Sequence, residues 1–427
     1  MKNKVNLPFF VMVSMLIMTG MSVMAQDWTQ FRGPNREGIV TGVNLNLDWS
    51  AKKPALLWTF RQAGSGYSAP TITGTTLFCQ GGADNKDFAF ALDTQTGNLK
   101  WKQELGEIAI LERGDGPRGS VTIDGDKLYL VRGGGQIHCL NASDGKILWQ
   151  KDFKTELGGK LMSKWGFSES PLVDGNLVIC SPGGSEGTII ALDKNTGAVV
   201  WRAKELTDDA SHSSPIVAEV GGIRQYIQQT NKGVAGISAK DGKLLWKVDN
   251  SAYKVAVIPT AIFNDNMVYI TNGYTGGCMG IQLSKEGEGI KAETIYSNIR
   301  DISCQHGGVV LVNGLLYGHS DSPSNSWVCQ NMKTGEIVWK QSDRDVAAGK
   351  GSILRVNDRF ILLNMRNGLS VVAEASTEGW KELGQLEIPE RTKIVTRDNE
   401  VWTHPVVAND KLYIRDHDLL FCFDMKK

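Results

Sequence analysis

Short apolar runs recur along the chain at a nearly constant interval, each broken by a polar turn. ALDKNTGAVVW, residues 191–201, is the clearest copy. An apolar pair leads into Asp193, a turn closes on Gly197, and an apolar strand ends in Trp201. ALDTQTGNLKW repeats the pattern at 91–101, and weaker copies start at Cys139, Gly236 and Cys329. The turn glycine falls at Gly97, Gly145, Gly197, Gly242, Gly287, Gly335 and Gly379, in steps of 48, 52, 45, 45, 48 and 44 residues. A step of that size corresponds to one four-stranded propeller blade.

Each unit opens with a segment such as Ser68-Ala69-Pro70, Ser170-Pro171 or Ser214-Pro215 and continues as an apolar innermost strand. A hairpin signal follows: Asp124-Gly125, Asp174-Gly175, Asn264-Asp265, Asn313-Gly314 or Asn357-Asp358. The last unit stops at FCFDMKK, with Asp424 in register with Asp193, so it lacks its outer strand. Pro-Ala-Leu-Leu-Trp, 54–58, reads like Gly-Lys-Leu-Leu-Trp, 242–246, and supplies the missing piece. The pattern therefore predicts an all-β chain: an eight-bladed β-propeller of four-stranded antiparallel blades over 54–427. Leu56 to Phe60 would close the ring as the outer strand of the blade holding Thr403 to Met425. Closure hides the sheet edges of an open array.

The repeat gives each marked residue a task. The turn glycine supplies positive φ. Asp93 or Asp193 accepts from turn amides, supported by Thr96 or Thr196. Trp58, Trp101, Trp149, Trp201, Trp246 and Trp339 are expected to dock between adjacent blades, beside a small Ala or Cys. Units five and seven depart, with Tyr296 and Leu383 near the docking place and Trp380 beside its turn glycine.

Composition adds boundaries. Lys2 and Lys4 precede an apolar run from Phe9 to Met18, and Val23-Met24-Ala25 offers a cleavage site, so 1–25 read as a secretory signal peptide. The residue after cleavage is Gln26, not Cys, which argues against a lipoprotein. No later segment is apolar enough to span a bilayer. Residues 26–53, containing QFRGPNREG, read as an ordered segment packed on the ring. Removing Lys2 and Lys4 leaves 44 basic against 46 acidic residues, a formal charge of −2, without basic clusters. That balance excludes nucleic acid as the expected partner. All seven cysteines fall after residue 25, an odd count without CxxC spacing. Cys139, Cys329 and Cys422 occupy the place of Ala91 and Ala191 and read as small buried apolar residues.

Strand order puts the connections from second to third strand, and from blade to blade, on one face, where they vary most. The starts of the blades contribute Tyr67, Arg118, Trp165, Glu169, His212, Lys254, Gln305, His306, Lys350, Trp402 and His404 to that face. Symmetry should converge them on the channel mouth, as a polar pocket for a protein or small-molecule ligand. Lys254 and Lys350 suit a carboxylated or phosphorylated ligand, and Trp165 and Trp402 a flat one. Gly114 to Gly119 matches GxGxxG but precedes a hairpin, not a helix, so a nucleotide loop is rejected. His306 with Cys304, and His417 between Asp416 and Asp418, lack a second cluster at ligand spacing, so no dedicated metal site is expected. No nucleophile-elbow motif is present.

AxDxxTGxxxW at 91–101 and 191–201 resembles the tryptophan-docking repeat of pyrroloquinoline-quinone (PQQ) propellers. QFRGPNREG and WGFSESPLVDGNLV from Trp165 resemble a secreted bacterial branch of PQQ-like repeat proteins. That superfamily includes quinoprotein alcohol dehydrogenases and the propeller lipoprotein of the outer-membrane β-barrel assembly machinery. The dehydrogenase side of the resemblance implies PQQ and calcium as cofactors, with Glu169 as calcium ligand and Trp165 as stacking platform. It also implies adjacent cysteines over the quinone, and no two cysteines here are adjacent; nor is there a CxxCH for haem. The assembly-factor side implies a non-catalytic binding or scaffold propeller, periplasmic or secreted and monomeric.

Overall fold

The computed structural model describes residues 27–250, 255–298, 302–321 and 324–427. The expected signal peptide and Lys254 lie outside the described residues. Eight blades of four antiparallel strands form the ring, and the sheet of blade seven gains a fifth strand from the segment before it. The first covers 71–107, with strands Thr71–Thr73, Thr76–Ala83, Lys86–Asp93 and Leu99–Glu107. Blades two to seven follow at 122–152, 172–202, 216–249, 262–298, 309–342 and 351–386. Blade eight takes three strands from Val406–Ala408, Lys411–Asp416 and Leu419–Asp424 and its fourth from Ala55–Phe60. That closing strand pairs Leu56 with Phe423 and Trp58 with Cys422. The chain is an eight-bladed β-propeller closed by its N-terminal strand.

The inner hairpins turn on residues at positive φ, both central residues in blades four, five, six and eight and the first alone in the others. Asn313 and Gly314 lie at φ 51° and 80°, the geometry of a type I′ turn. In blade five the turn sits one residue later than the sequence signal suggests, on Asp265 and Asn266 at φ 50° and 60°, between Ile262–Asn264 and Met267–Asn272. The pairing of Asn264 with Met267 sets that register.

The outer turns are held as their composition requires. Asp93 Oδ1 accepts from the amides of Gln95 and Thr96 and from the Thr96 hydroxyl, at 2.9 to 3.0 Å. Asp193 repeats the arrangement with Asn195 and Thr196. A bulge then places a large ring opposite a small residue: Trp101 faces Ala91, Trp149 faces Cys139, Trp201 faces Ala191, Trp246 faces Gly236 and Tyr296 faces Gly280. The rings of Trp58, Trp101, Trp149, Trp201 and Tyr296 lie over the turn glycine of the next blade, whereas nothing covers Gly287, the turn glycine that follows Trp246. A Cβ on Gly97 would come within 2.7 Å of Trp58, one on Gly145 within 2.6 Å of Trp101, and one on Gly242 within 2.5 Å of Trp201. The indole N–H of Trp58, Trp101, Trp149 and Trp339 donates to a carbonyl of that next turn, on Thr94, Ala142, Lys194 and Ser376. Tyr296 does the same through its hydroxyl, to Met332 at 2.7 Å. Trp246 turns back to Gln225 of its own blade.

The apolar core is correspondingly divided among the spaces between neighbouring blades. Blade seven has no aromatic on its outer strand at the docking place. Trp49, from the segment before the ring, is fully buried there against Gly384. All seven cysteines are buried, and no disulfide joins them.

The segment before the ring runs along the channel. Trp28 pairs with Ile72 of blade one, and Thr29 accepts from Ile123 of blade two. Arg36 is 4 % exposed and donates to Ser170 and Pro215 at 3.0 Å and to Pro171, tying blades three and four. Arg32 reaches Val309 of blade six at 2.6 Å. Ile39–Val40 then pairs in parallel with the innermost strand of blade seven. Burial pushes both guanidinium pKa values down, Arg32 to about 10 and Arg36 to about 9. Carbonyl acceptors meet the Arg36 donors and Arg32 Nη2, while Arg32 Nη1 is buried without a partner.

Candidate functional site

The starts of the blades meet at the mouth of the channel, opposite the inner hairpin turns. They are held there by serines whose hydroxyls link one blade to the next. Ser170 Oγ accepts from the amide of Ser120, and Ser214 Oγ accepts from that of Ser170, both at 2.9 Å. Above them opens a pocket of about 270 Å³, near the small end of ligand-binding cavities. Phe31, from the segment in the channel, contributes to its lining and meets the His404 ring edge-on at 5.3 Å.

Of the eleven residues expected at the channel mouth, nine line this pocket: Tyr67, Arg118, Trp165, His212, Gln305, His306, Lys350, Trp402 and His404. Glu169 does not. It is 2 % exposed and both its carboxylate oxygens accept from the Ser181 amide, at 2.8 and 3.0 Å. Burial raises its pKa to about 7 against the pull of that amide and of Arg36. Alternation along the strand lead-in explains the difference: Ser168 and Ser170 face the pocket and Glu169 turns beneath it.

The aromatic walls are fixed by hydrogen bonds. The Tyr67 hydroxyl donates to Arg113 O at 2.8 Å, and the Trp402 indole donates to Glu400 at 2.8 Å. Tyr67 and Trp402 lie 4.9 Å apart. Trp165 stacks on His212 at 5.6 Å, with the Arg113 guanidinium over its ring. His212 is clasped between the hydroxyls of Ser163, 2.9 Å from Nε2, and Ser168, 3.2 Å from Nδ1. Burial lowers the pKa of His212 and of His404 to about 3, so both are neutral. His306 is driven well below its ordinary value by the same cause.

The cations are mostly committed. Arg118 donates to Trp165 O at 2.6 Å and Gly114 O at 2.9 Å, and burial lowers its pKa to about 10. Arg113 holds both oxygens of Asp398 at 2.9 Å. Lys350 lies 3.1 Å from Asp321 and donates to Gln305. Lys350, expected to suit an anionic ligand, therefore already has an acidic partner in this structure.

The residues here do not fit the PQQ and calcium arrangement. Glu169, the candidate calcium ligand, points away from the pocket, and His212 and Arg113 already pack against the Trp165 ring. Among the described residues no group of three or more His, Cys, Asp or Glu side chains is placed to hold a metal ion. No helix among them is long and apolar enough to cross a membrane.

Sequence reasoning missed Arg113, Asp398 and Glu400, which lie on the long loops joining blades one to two and seven to eight. No repeat position marks such loops. The unusual length of 387–405 was the available signal.

The comparisons agree with the fold. The outer membrane protein assembly factor BamB of Yersinia pestis is 23 % identical over 381 residues, covering 85 % of this chain and 79 % of the relative. The crystal structure of BamB from Moraxella catarrhalis superposes with a TM-score of 0.60 at 15 % identity, over 87 % of this chain and 98 % of that one. Quinohemoprotein alcohol dehydrogenase from Comamonas testosteroni gives 0.61 at 13 % identity, over 93 % and 80 %. The sequence profile described as outer membrane protein assembly factor BamB matches residues 91–341, and the chain belongs to that family.

Proposed function

We propose that this protein is an exported, non-catalytic propeller of the bacterial envelope that binds a partner or ligand on the face bearing the channel mouth. Cleavage after Ala25 would release a monomeric ring into the periplasm or medium. The assembly-factor name carried by its relatives supports a role among outer-membrane proteins. One observation carries the non-catalytic half. The pocket has fixed aromatic walls, and its Arg113, Arg118 and Lys350 are already paired, while the acid that a quinone enzyme would turn toward calcium is spent on the Ser181 amide. Such a site is arranged to hold a ligand.

The test is direct. The purified protein is incubated with PQQ and Ca²⁺, then followed by visible spectrum and by dye-coupled oxidation of primary and secondary alcohols. The expected result is no bound quinone chromophore and no turnover above buffer. Turnover that depends on both additions would overturn the reading in favour of a dehydrogenase.

A further inference from the structure

Six charged side chains line the channel-mouth pocket: Arg113, Arg118, Lys350, Arg366, Asp398 and Glu400. Four of them are already met. Arg113 and Asp398 hold each other, Arg118 donates to backbone carbonyls, and Lys350 has Asp321 and Gln305. Arg366 and Glu400 remain, one of each sign. Arg366 is exposed, and its guanidinium makes no hydrogen bond or ion pair among the described residues. Its backbone is pinned, with the amide donating to Asn364 Oδ1 at 2.8 Å and the carbonyl accepting from Arg391. Glu400 is half-buried. One of its carboxylate oxygens accepts from the Trp402 indole, and it forms no ion pair with any described residue.

The two charges are close enough to act on each other and too far apart to pair. Burial raises the Glu400 pKa and Asp398 adds to the rise, while the Trp402 indole, Lys350 and Arg366 pull it down. Partly desolvating an acid without a counter-charge in contact is costly, so the gap between Glu400 and Arg366 suits a group that supplies one. A simple anion on Arg366 would stand near the Glu400 carboxylate, and a simple cation on Glu400 would stand near the Arg366 guanidinium. A compact molecule carrying both charges meets both without repulsion. The pocket, about 270 Å³, is smaller than those that hold drug-sized ligands, which also selects a small occupant.

Resting on the reading of this face as a binding site, we infer that the pocket takes a free α-amino acid, with its ammonium on Glu400 and its carboxylate on Arg366. No covalent step is involved.

Titration calorimetry of the full mature chain at neutral pH tests this. The probes are the common L-amino acids and inorganic phosphate. Each amino acid is accompanied by the acid that lacks its amino group and the amine that lacks its carboxylate. At least one amino acid should bind at one site, and removing either charged end should weaken it roughly tenfold, the size of effect expected for a lost charge-assisted hydrogen bond. Arg366→Gln should erase the difference between the amino acid and its amine. Glu400→Gln, whose side-chain oxygen can still accept from the Trp402 indole, should erase the difference between the amino acid and its acid. Arg366 is exposed, so its variant serves if Glu400→Gln does not fold. Binding of only the acids, only the amines or only phosphate would overturn the amino acid and leave the binding face standing. Silence from every probe, or amino-acid binding indifferent to both substitutions, would also overturn it. PQQ-dependent turnover would instead overturn the reading on which it rests.

Discussion

At the scale of single residues, the joint between blades is a ring laid over a glycine. Trp201 is 9 % exposed, stacks on Tyr226 at 6.0 Å, and occupies the space that a Cβ on Gly242 would need. Truncating a buried aromatic typically costs roughly 3–5 kcal/mol, from lost burial and the cavity left behind. Trp201→Ala should therefore lose about that much in a urea titration. Gly242→Ala should also destabilise, because φ is +76° and the new methyl meets the indole at 2.5 Å. A melting temperature unchanged in both variants would mean that this joint does not hold blades three and four together. These joints were legible because the ring, the turn and the small residue recur at one spacing. Trp49 and Arg415 were not. Trp49 stands outside the repeat, and nothing in its local sequence says that it fills the gap at Gly384. Arg415 is fully buried, and its guanidinium donates to Ser68, Gln80, Ala63 and Gly64 across the seam between blades eight and one. A sequence pattern assigns arginine to the surface; only backbone carbonyls converging in three dimensions make its burial tolerable.

At the scale of elements, two N-terminal pieces act on the ring in different ways. Ala55–Phe60 completes blade eight with a five-pair antiparallel ladder. Without it, Leu419–Asp424 would present an open edge, and Trp58 would leave Gly97 uncovered. Deleting residues 26–60 should collapse soluble yield, read by size-exclusion chromatography of the expressed chain. A stable monomeric truncation would contradict closure as a requirement for stability. The closing strand could be read from sequence because it copies the outer strands. The stretch at 27–46 could not be placed so well. Its glycines and prolines signal irregular backbone, but its path along the channel depends on long-range contacts from Arg32 and Arg36 to blades three, four and six. The candidate site shows the same division. Residues at the blade starts follow from symmetry, whereas Arg113, Asp398 and Glu400 sit on loops whose course no repeat dictates.

For the whole molecule, burial of histidines sets how stability responds to acid. Of the six histidines, His138, His212 and His404 are lowered to about 3 and His417 to about 4, with desolvation the largest cause in each. His306 falls well below its ordinary value for the same reason, and only His319, between Asp321 and Asp343, is raised. An unfolded histidine titrates near 6.5, so between about 3 and 6.5 the unfolded chain binds more protons than the folded one. Stability from these groups is present above pH 6.5 and is lost as pH falls toward 3. Glu169 works the other way. Its folded value of about 7 exceeds the ordinary 4.5, so its stabilisation is full below 4.5 and is lost as pH rises through 7. Five lowered histidines outweigh it. Unfolding free energy should rise from pH 4 to 6.5 and then level, measured by urea titration at each pH. Glu169→Gln removes an opposing contribution and should steepen that rise, because the amide carries no charge to desolvate at any pH. Stability that is flat or falling between pH 4 and 6.5 would mean that these imidazoles are hydrated and protonated in the folded ring.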